Sequence, residues 1–431
     1  MNTINSNLTI KDISVLERKS IKTIRRAIAS KQLFAEKRVG NFFSISNDDY
    51  IEWKNNGYKT NSIPERVSAF VDRKYTPKYS EAKFVDVSRE MQEIDGWNST
   101  FTNGIKFLDL FSGAGGLSCG LVMAGFEPVQ SVEILECAVD TFKINFIDSK
   151  RFPEKIIETK DIRDSKVKKE IIKICLFQKV ELIVGGFPCQ GFSMSGNRVI
   201  ADARNSLYLD MLDIVKKVRP KIVIMENVEG LRNMLNGKIE QMIISDYQKV
   251  GYNISVQTLN AADYGVAQKR KRVVFVANNI NVQNFYPQPI FEKENYRTLG
   301  QELKRFLNIK ENPSINHCFT NHTENMKKRL SAVPEGKSLY SNYSDSWKKS
   351  PWNQPSCTIK ENHGGVNIHP KKSRVLTARE LAALQSFPDD FIFSGTKKWQ
   401  LLQIGNAVPP LMAKAIGLAV WKLLKDNKSS F

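Results

Sequence analysis

Five short runs in this 431-residue chain combine reactive residue types with spacings that put them at the ends of strands. The first is Asp109-Leu-Phe-Ser-Gly-Ala-Gly-Gly116, an apolar strand passing into a glycine-rich turn and then a helix. Glycines let a backbone approach a ligand closely, and a helix N-terminus presents free N–H groups. Glu133 closes the next strand, where an acidic residue commonly binds ribose hydroxyls. The spacing is not GxGxxG, so the pattern suits a nucleoside-containing cofactor without singling out a dinucleotide. A tight turn with no ligand has the same signature. The second run is Gly185-Gly-Phe-Pro188-Cys189-Gln190. A cysteine in a Gly/Pro loop after a strand is placed like a nucleophile, although an inert core thiol is the commoner use of the residue. The third, Met225-Glu226-Asn227-Val228, sets a carboxyl where the chain leaves the sheet. Partial desolvation there raises its pKa and makes it a proton donor near neutrality; a helix-capping carboxylate is the plainer reading. In the fourth, Gln268-Lys-Arg270-Lys-Arg272, alternation along a strand puts Arg270 and Arg272 on one face, suited to a phosphate, a carboxylate or a base edge. The fifth, Gln403-Ile-Gly405-Asn406-Ala-Val408-Pro409-Pro410, by itself indicates only a proline-defined helix entry.

The elements that must position these runs alternate between strand and helix from Ile105 onward. Strand-like segments 105–111, 129–133, 180–184, 221–225, 252–259 and 272–277 are separated by helical patterns such as 117–124, 137–146 and 206–218. Such alternation implies a doubly wound α/β sheet, in which ligands bind beyond the carboxyl ends of strands. From 282 to 370 it breaks down into Asn, Pro, Ser, Lys and Trp, and a smaller, irregular β-rich domain is expected. Thr377-Ala-Arg-Glu380 is a capping box opening a helix that Pro388 closes, and a last helix spans about 411–424. Residues 57–103 are polar, hold Pro64 and Pro77, and read as a linker.

Composition narrows the class. Apolar residues are 41% and charged residues 25%, as in a soluble globular protein. No apolar run approaches the ~18 residues of a spanning helix, and MNTINSNLTI lacks a signal-peptide pattern. Six cysteines are too sparse for a disulfide framework, so free thiols and a cytoplasmic location are expected. Lys+Arg exceed Asp+Glu by 64 to 45, a net +19, which points to a polyanionic partner such as nucleic acid, or to a lysine-rich surface that only aids solubility.

Taken in order, the five runs resemble the DNA (cytosine-5) methyltransferase family over about 105–431: Asp-Leu-Phe-x-Gly-x-Gly-Gly, Pro-Cys-Gln, Glu-Asn-Val, Gln-x-Arg-x-Arg, then Gly-Asn-x-Val. The resemblance implies an S-adenosylmethionine-dependent, Rossmann-like catalytic domain at 104–284, completed by 398–431. It implies a target-recognition domain at 285–397. It assigns cofactor binding to Asp109, Phe111 (stacked on the adenine), Gly113, Gly115, Gly116, Glu133, Asp161 (on the adenine amino group), Ile162, Pro188, Asn406 and Val408. Cys189 attacks C6 of cytosine, Glu226 contacts N3, and Arg272, less directly Arg270, hold the base. Covalent addition makes C5 nucleophilic, and the cytosine must leave the duplex to be reached. Residues 193–210 are expected to be a mobile loop closing over the flipped-out base. The implied partners are double-stranded DNA and, at the system level, a cognate restriction endonuclease, with no membrane.

Residues 1–56 carry a capping box at Thr9–Asp12, a basic second helix with Lys22, Arg25 and Arg26, and a hairpin near 39–45. They resemble an excisionase-type winged helix-turn-helix, which implies DNA binding and possible transcriptional autoregulation; a small docking domain is the plainer reading. His317, Cys318, His322, Cys357, His363 and His369 fall in one region, but their spacings match no standard zinc pair, so no metal is expected. Tyr340, Tyr343, Trp347 and Trp352 lie among lysines, either as a DNA-facing surface or as the core of a small domain. An RNA-methylating enzyme and a transcription factor with a vestigial methyltransferase are the rival readings. The N-terminal unit argues against the first and the intact Cys189, Glu226 and Arg272 against the second.

Overall fold

The computed structural model describes residues 8–17, 21–29, 33, 35–38, 42–46, 50–51, 53–54, 79–149, 157–188, 207–340, 346–360 and 367–428. They form two compact units. In the smaller, β1 (Leu8–Thr9) leads into α1 (Ile10–Leu16), then α2 (Ile21–Ala29), β2 (Glu36–Arg38) and β3 (Phe42–Ile45). The strands form an antiparallel sheet in the order β1-β3-β2. Thr9 and Asp12 make the reciprocal capping box that starts α1, and Ile13, Ile24, Leu33, Ile45 and Trp53 are the buried core. Arg25 is exposed; the side chains of Lys22 and Arg26 lie outside the described residues.

The larger unit is built on a seven-stranded sheet: β5 (Lys106–Leu110), β6 (Glu127–Glu133), β7 (Ile157–Thr159), β8 (Leu182–Gly185), β9 (Ile222–Val228), β10 (Asn253–Asn260) and β11 (Lys271–Asn278). Their order is β10-β11-β9-β8-β5-β6-β7. The run β9-β8-β5-β6-β7 is parallel, and β11 joins both β9 and β10 antiparallel. All four residues of β8 are buried, as a strand covered on both faces requires. Helices α4 (Gly116–Met123), α5 (Glu136–Phe142), α6 (Ser165–Gln178), α7 (Leu207–Val218) and α8 (Lys238–Lys249) connect the strands. The chain runs outward from β5 through β6 to β7, then returns to place β8 on the other side of β5. That reversal is the switch point at which such sheets open a crevice. The closing helix α13 (Pro410–Lys428) lies against α4 so closely that a Cβ on Gly120 would sit 2.2 Å from the Pro410 carbonyl. The stretch 397–427 is long and apolar enough to cross a membrane, but 83% of its apolar window is buried, as in a core helix.

Two expectations are corrected here. The latter part of the proposed linker belongs to the catalytic unit: β4 (Ala82–Val85) pairs in parallel with β12 (Asn284–Pro287), α3 (Ser88–Glu93) follows, and Val87 and Trp97 are buried in the main core. So few apolar residues anchor this segment that its sequence shows no periodicity. The region after 287 is not β-rich among the described residues. It holds α9 (Leu299–Leu303), α10 (Glu324–Ala332), α11 (Ala378–Leu384), short 3₁₀ turns and isolated bridges. Threonines at 298, 323 and 377 cap those three helices, and no period-2 pattern competes with them. Much of the region shares the main core, while Leu330, Val333 and Ile368 form a small core of their own. The last helical turn of the unit before this closing helix, α12 (Lys397–Asn406), presents Gly405 and Asn406.

Candidate active site

Sheet register assembles the site. Leu110 pairs with Val132 on one side and Gly185 on the other, and Gly185 pairs with Met225. The next residues along each strand, Phe111, Glu133, Gly186 and Glu226, therefore emerge side by side at the carboxyl edge.

At the first strand end, Phe111 takes a left-handed backbone (φ 60), followed by Gly113 (φ 54) and Gly115 (φ 88). A non-glycine residue held there is strained, a feature that clusters at ligand sites. The Gly113 N–H donates to Glu133 Oε2 at 2.9 Å, and the Ile134 and Leu135 N–H groups donate to Oε1 at 2.9 and 2.8 Å. Glu133 thus ties the glycine turn to the neighbouring strand. A Cβ on Gly113 would meet nothing within 4 Å, so the turn faces open space. Gly116 is fixed by packing: its Cβ would lie 2.4 Å from the Val408 carbonyl, which brings the Gly-Asn-Ala-Val loop against the turn. Val408 is buried and Asn406 exposed.

Asp109 lies 1% exposed behind the turn, accepting from Ser118 Oγ at 2.6 Å. Burial, reinforced by Glu133, pushes its carboxyl up to about 7 against that hydrogen bond. Its Oδ1, like Ser112 Oγ and Ser131 Oγ, is buried without a partner among the described residues. Unpaired acceptors beside a glycine turn and a strand-end glutamate suit a polar, nucleoside-bearing ligand. Asp161 carries Arg163, whose Nε donates to its two oxygens at 2.9 and 3.0 Å and holds the carboxyl below its usual range. Ile162 is buried and Pro188 half-buried.

Glu226 is 8% exposed, and its Oε1 lies 2.9 Å from Arg272 Nε. Burial raises its pKa, while Arg272 and then Arg270 oppose the rise. Burial and the two arginines thus pull the carboxyl's proton affinity in opposite directions. Asn227, for which the motif alone implies no separate role, donates through Nδ2 to the Phe187 carbonyl at 2.9 Å. It fixes the backbone two residues before Cys189. Cys189, Gln190 and the expected loop up to residue 206 lie outside the described residues; Asp210, expected in that loop, belongs to α7 and pairs with Lys168.

Arg270 departs from expectation. It precedes β11, is 1% exposed, and donates to the carbonyls of Ile359 through Nη1 and of Gly405 and Ala407 through Nη2, each at 2.9 Å. Both its Nη groups are engaged by backbone and its Nε is buried without a partner among the described residues, the geometry of a strut rather than of a second base-holding arginine. Beside it, Gln268 accepts from the Ile359 N–H and donates to Gln385, which donates to the Ile404 carbonyl. These buried glutamines join three segments far apart in sequence, and only Gln268 fell within a recognised motif.

His363 lies outside the described residues, and two of the other histidines are engaged elsewhere. His317 Nδ1 sits 3.0 Å from Thr377 Oγ1, and His369 Nδ1 accepts from the Lys371 N–H. Among the described residues no three His, Cys, Asp or Glu side chains gather as metal ligands. Trp347 meets Tyr340 edge-on, and Trp352 packs on Gly300, so these aromatics are at least partly internal.

Comparison with known proteins matches residues 105–422 to the model of the C-5 cytosine-specific DNA methylases. The type II methyltransferase M1.HphI of Haemophilus parahaemolyticus is 38% identical over 334 residues, covering 74% of this chain and 87% of that protein. The type II methyltransferase M.DdeI of Desulfomicrobium norvegicum is 32% identical, covering 72% and 87%. Among solved structures, a candidate DNA modification methyltransferase encoded within an E. coli prophage superposes with a TM-score of 0.61 at 26% identity, covering 74% of this chain and 99% of that one.

Proposed function

The chain belongs to the C-5 cytosine-specific DNA methylase family, and on that premise we propose that Cys189, Glu226 and Arg272 carry its chemistry on a cytosine turned out of duplex DNA. It is a DNA (cytosine-5-)-methyltransferase that uses S-adenosylmethionine, and its type II relatives support the modification methylase of a restriction–modification system. Bound S-adenosylmethionine supplies an electrophilic methyl group. Phe111, the Gly113–Gly116 turn, Glu133, Asp161, Ile162, Pro188, Asn406 and Val408 would hold it, with Asp109 behind the turn.

The Cys189 thiolate adds to C6 of the cytosine. Glu226, whose pKa burial raises, places a proton at N3, so that the adduct becomes an enamine with a nucleophilic C5. Arg272 orients that carboxyl and contacts the base, while Asn227 holds the approach to Cys189. The observation that carries this reading is the buried Glu226–Arg272 pair at the strand edge next to the one leading into Pro188-Cys189. Tritium transfer from labelled cofactor tests it: counts should enter DNA and not tRNA, and transfer to tRNA alone overturns the DNA assignment.

Residues within about 285–370 select the target sequence in the major groove, and the unit at 1–56 binds DNA through its second helix, acting in the cytoplasm beside a cognate endonuclease. The exposed Arg25 and the net charge of +19 support DNA binding. By controlling transcription of its own operon this unit would let modification precede restriction. A 1–56 fragment should bind DNA with salt-sensitive affinity, and the intact protein should leave a footprint upstream of its gene. A deletion that abolishes methylation, together with an intact protein that leaves no footprint, contradicts the regulatory role.

A further inference from the structure

The family match begins at Ile105, yet the residues just before it grip the helix that carries the cofactor turn. Helix α4 starts at Gly116, and its carboxyl end needs partners for its last carbonyls. The segment at 96–103 provides them. The Gly96 N–H donates to the Met123 carbonyl at 3.0 Å, Asn103 Nδ2 to Ala124 at 3.1 Å and the Asn103 N–H to Gly125 at 2.8 Å. The approach is so close that a Cβ on Gly96 would lie 2.1 Å from the Val122 carbonyl, and one on Gly125 2.4 Å from the Phe101 ring.

The same segment reaches the other end of α4. Trp97, 3% exposed, meets Phe146 edge-on at 5.4 Å and stacks on Phe391 at 5.9 Å, and its Nε1 donates to Asp390. Phe146 stacks on Phe142 at 4.1 Å. Those two rings are what Gly115 rests on, at 2.8 and 2.9 Å from where its Cβ would be. Upstream, Lys422 and Lys414 of α13 donate to the carbonyls of Asp86 and Met91, and Lys422 pairs with Glu90 at 2.8 Å. The segment is thus docked on the helix that packs along α4.

We infer that residues 79–103 form a clamp that sets the position of α4, and that Trp97 and Asn103 are positioning residues for the cofactor turn at Gly113–Gly116. The inference rests on the reading of that turn as the S-adenosylmethionine site. Aromatic pairs of this kind contribute enough that losing both of Trp97's should weaken cofactor binding roughly five- to tenfold. Duplex DNA should bind as before, because neither residue belongs to the proposed base-holding set.

The test is calorimetric titration of the full chain with S-adenosylmethionine, alongside fluorescence anisotropy with duplex DNA, for Trp97→Ala, Trp97→Phe, Asn103→Ala and Glu133→Ala. Trp97→Ala should raise the cofactor Kd and KM by that factor with kcat at saturation and DNA affinity unchanged. Trp97→Phe should restore most of the affinity, and Asn103→Ala, a milder change that carries the test if Trp97→Ala does not fold, should lose a few-fold. Wild-type cofactor affinity in both Trp97→Ala and Asn103→Ala, beside weakened binding in Glu133→Ala, overturns the clamp alone. Equal losses of cofactor and DNA affinity overturn it as well, by showing general destabilisation. Unchanged affinity in Glu133→Ala overturns the site and the clamp together.

Discussion

Replacing Arg270 by methionine separates scaffold from chemistry. The guanidinium donates to three carbonyls, the buried ones of Ile359 and Gly405 and the half-buried one of Ala407, each at 2.9 Å. Orphaning the two buried ones costs about 1–3 kcal/mol each, or about 2–6 kcal/mol together, with a smaller cost at Ala407. Against that stands the penalty for burying a charge, several kcal/mol, which the variant no longer bears. Burial and the nearby Arg272 push the Arg270 pKa down, with Glu226 opposing, but a guanidinium remains charged at any working pH. The net expectation is a loss of about 3 kcal/mol of stability, within reach of urea denaturation followed by tryptophan fluorescence. Because Gly405 and Ala407 lead into the loop against Gly116, the variant should also raise KM for S-adenosylmethionine, yet still methylate at reduced temperature. Arg272→Met should do the opposite. Its partner Glu226 can relieve its own burial by taking a proton, so stability should fall less, whereas turnover should fall at least about 100-fold. An Arg270→Met protein as stable as wild type, but as inactive as Arg272→Met, would refute this division of roles.

Asp109 sets a pH dependence. Its folded pKa of about 7 lies above the ordinary 3.8, so it stabilises the fold below pH 4 and that contribution is lost as pH rises through about 7. The difference amounts to at most about 4 kcal/mol. Asp109→Asn should therefore flatten the fall in unfolding free energy between about pH 4 and 7, and parallel curves would contradict the assignment. Exchanging residues 285–370 for those of a relative should move the methylated site, read by modified-base sequencing of plasmid DNA. A hybrid active at the original site places specificity elsewhere.

The sheet was legible because its strands are apolar runs ended by unusual residues. Glu133 and Glu226 emerge at the carboxyl edge as their positions implied, although β9 continues through Val228. The capping boxes at Thr9–Asp12 and Thr377–Glu380 marked helix starts correctly, since each depends on residues three apart. Helix α6 was missed despite its apolar spacing, because its lysines masked a face that buries only Ile171 and Cys175. Arg270 could not be read locally. Strand alternation grouped it with Arg272, but its role depends on carbonyls near 360 and 405 that only the tertiary fold brings together. The clamp at 79–103 escaped for the same reason: its anchors are single residues, Gly96, Trp97 and Asn103, whose partners lie elsewhere in the chain.

The chemistry proposed for this chain turns on a covalent adduct between Cys189 and the target cytosine. The most direct measurement is mass spectrometry after incubation with S-adenosylmethionine and plasmid-derived DNA carrying 5-fluorocytosine. A stable protein–DNA adduct mapping to Cys189 and absent from Cys189→Ser is expected. An adduct that persists in Cys189→Ser, or that maps to Cys137, Cys318 or Cys357, would contradict it.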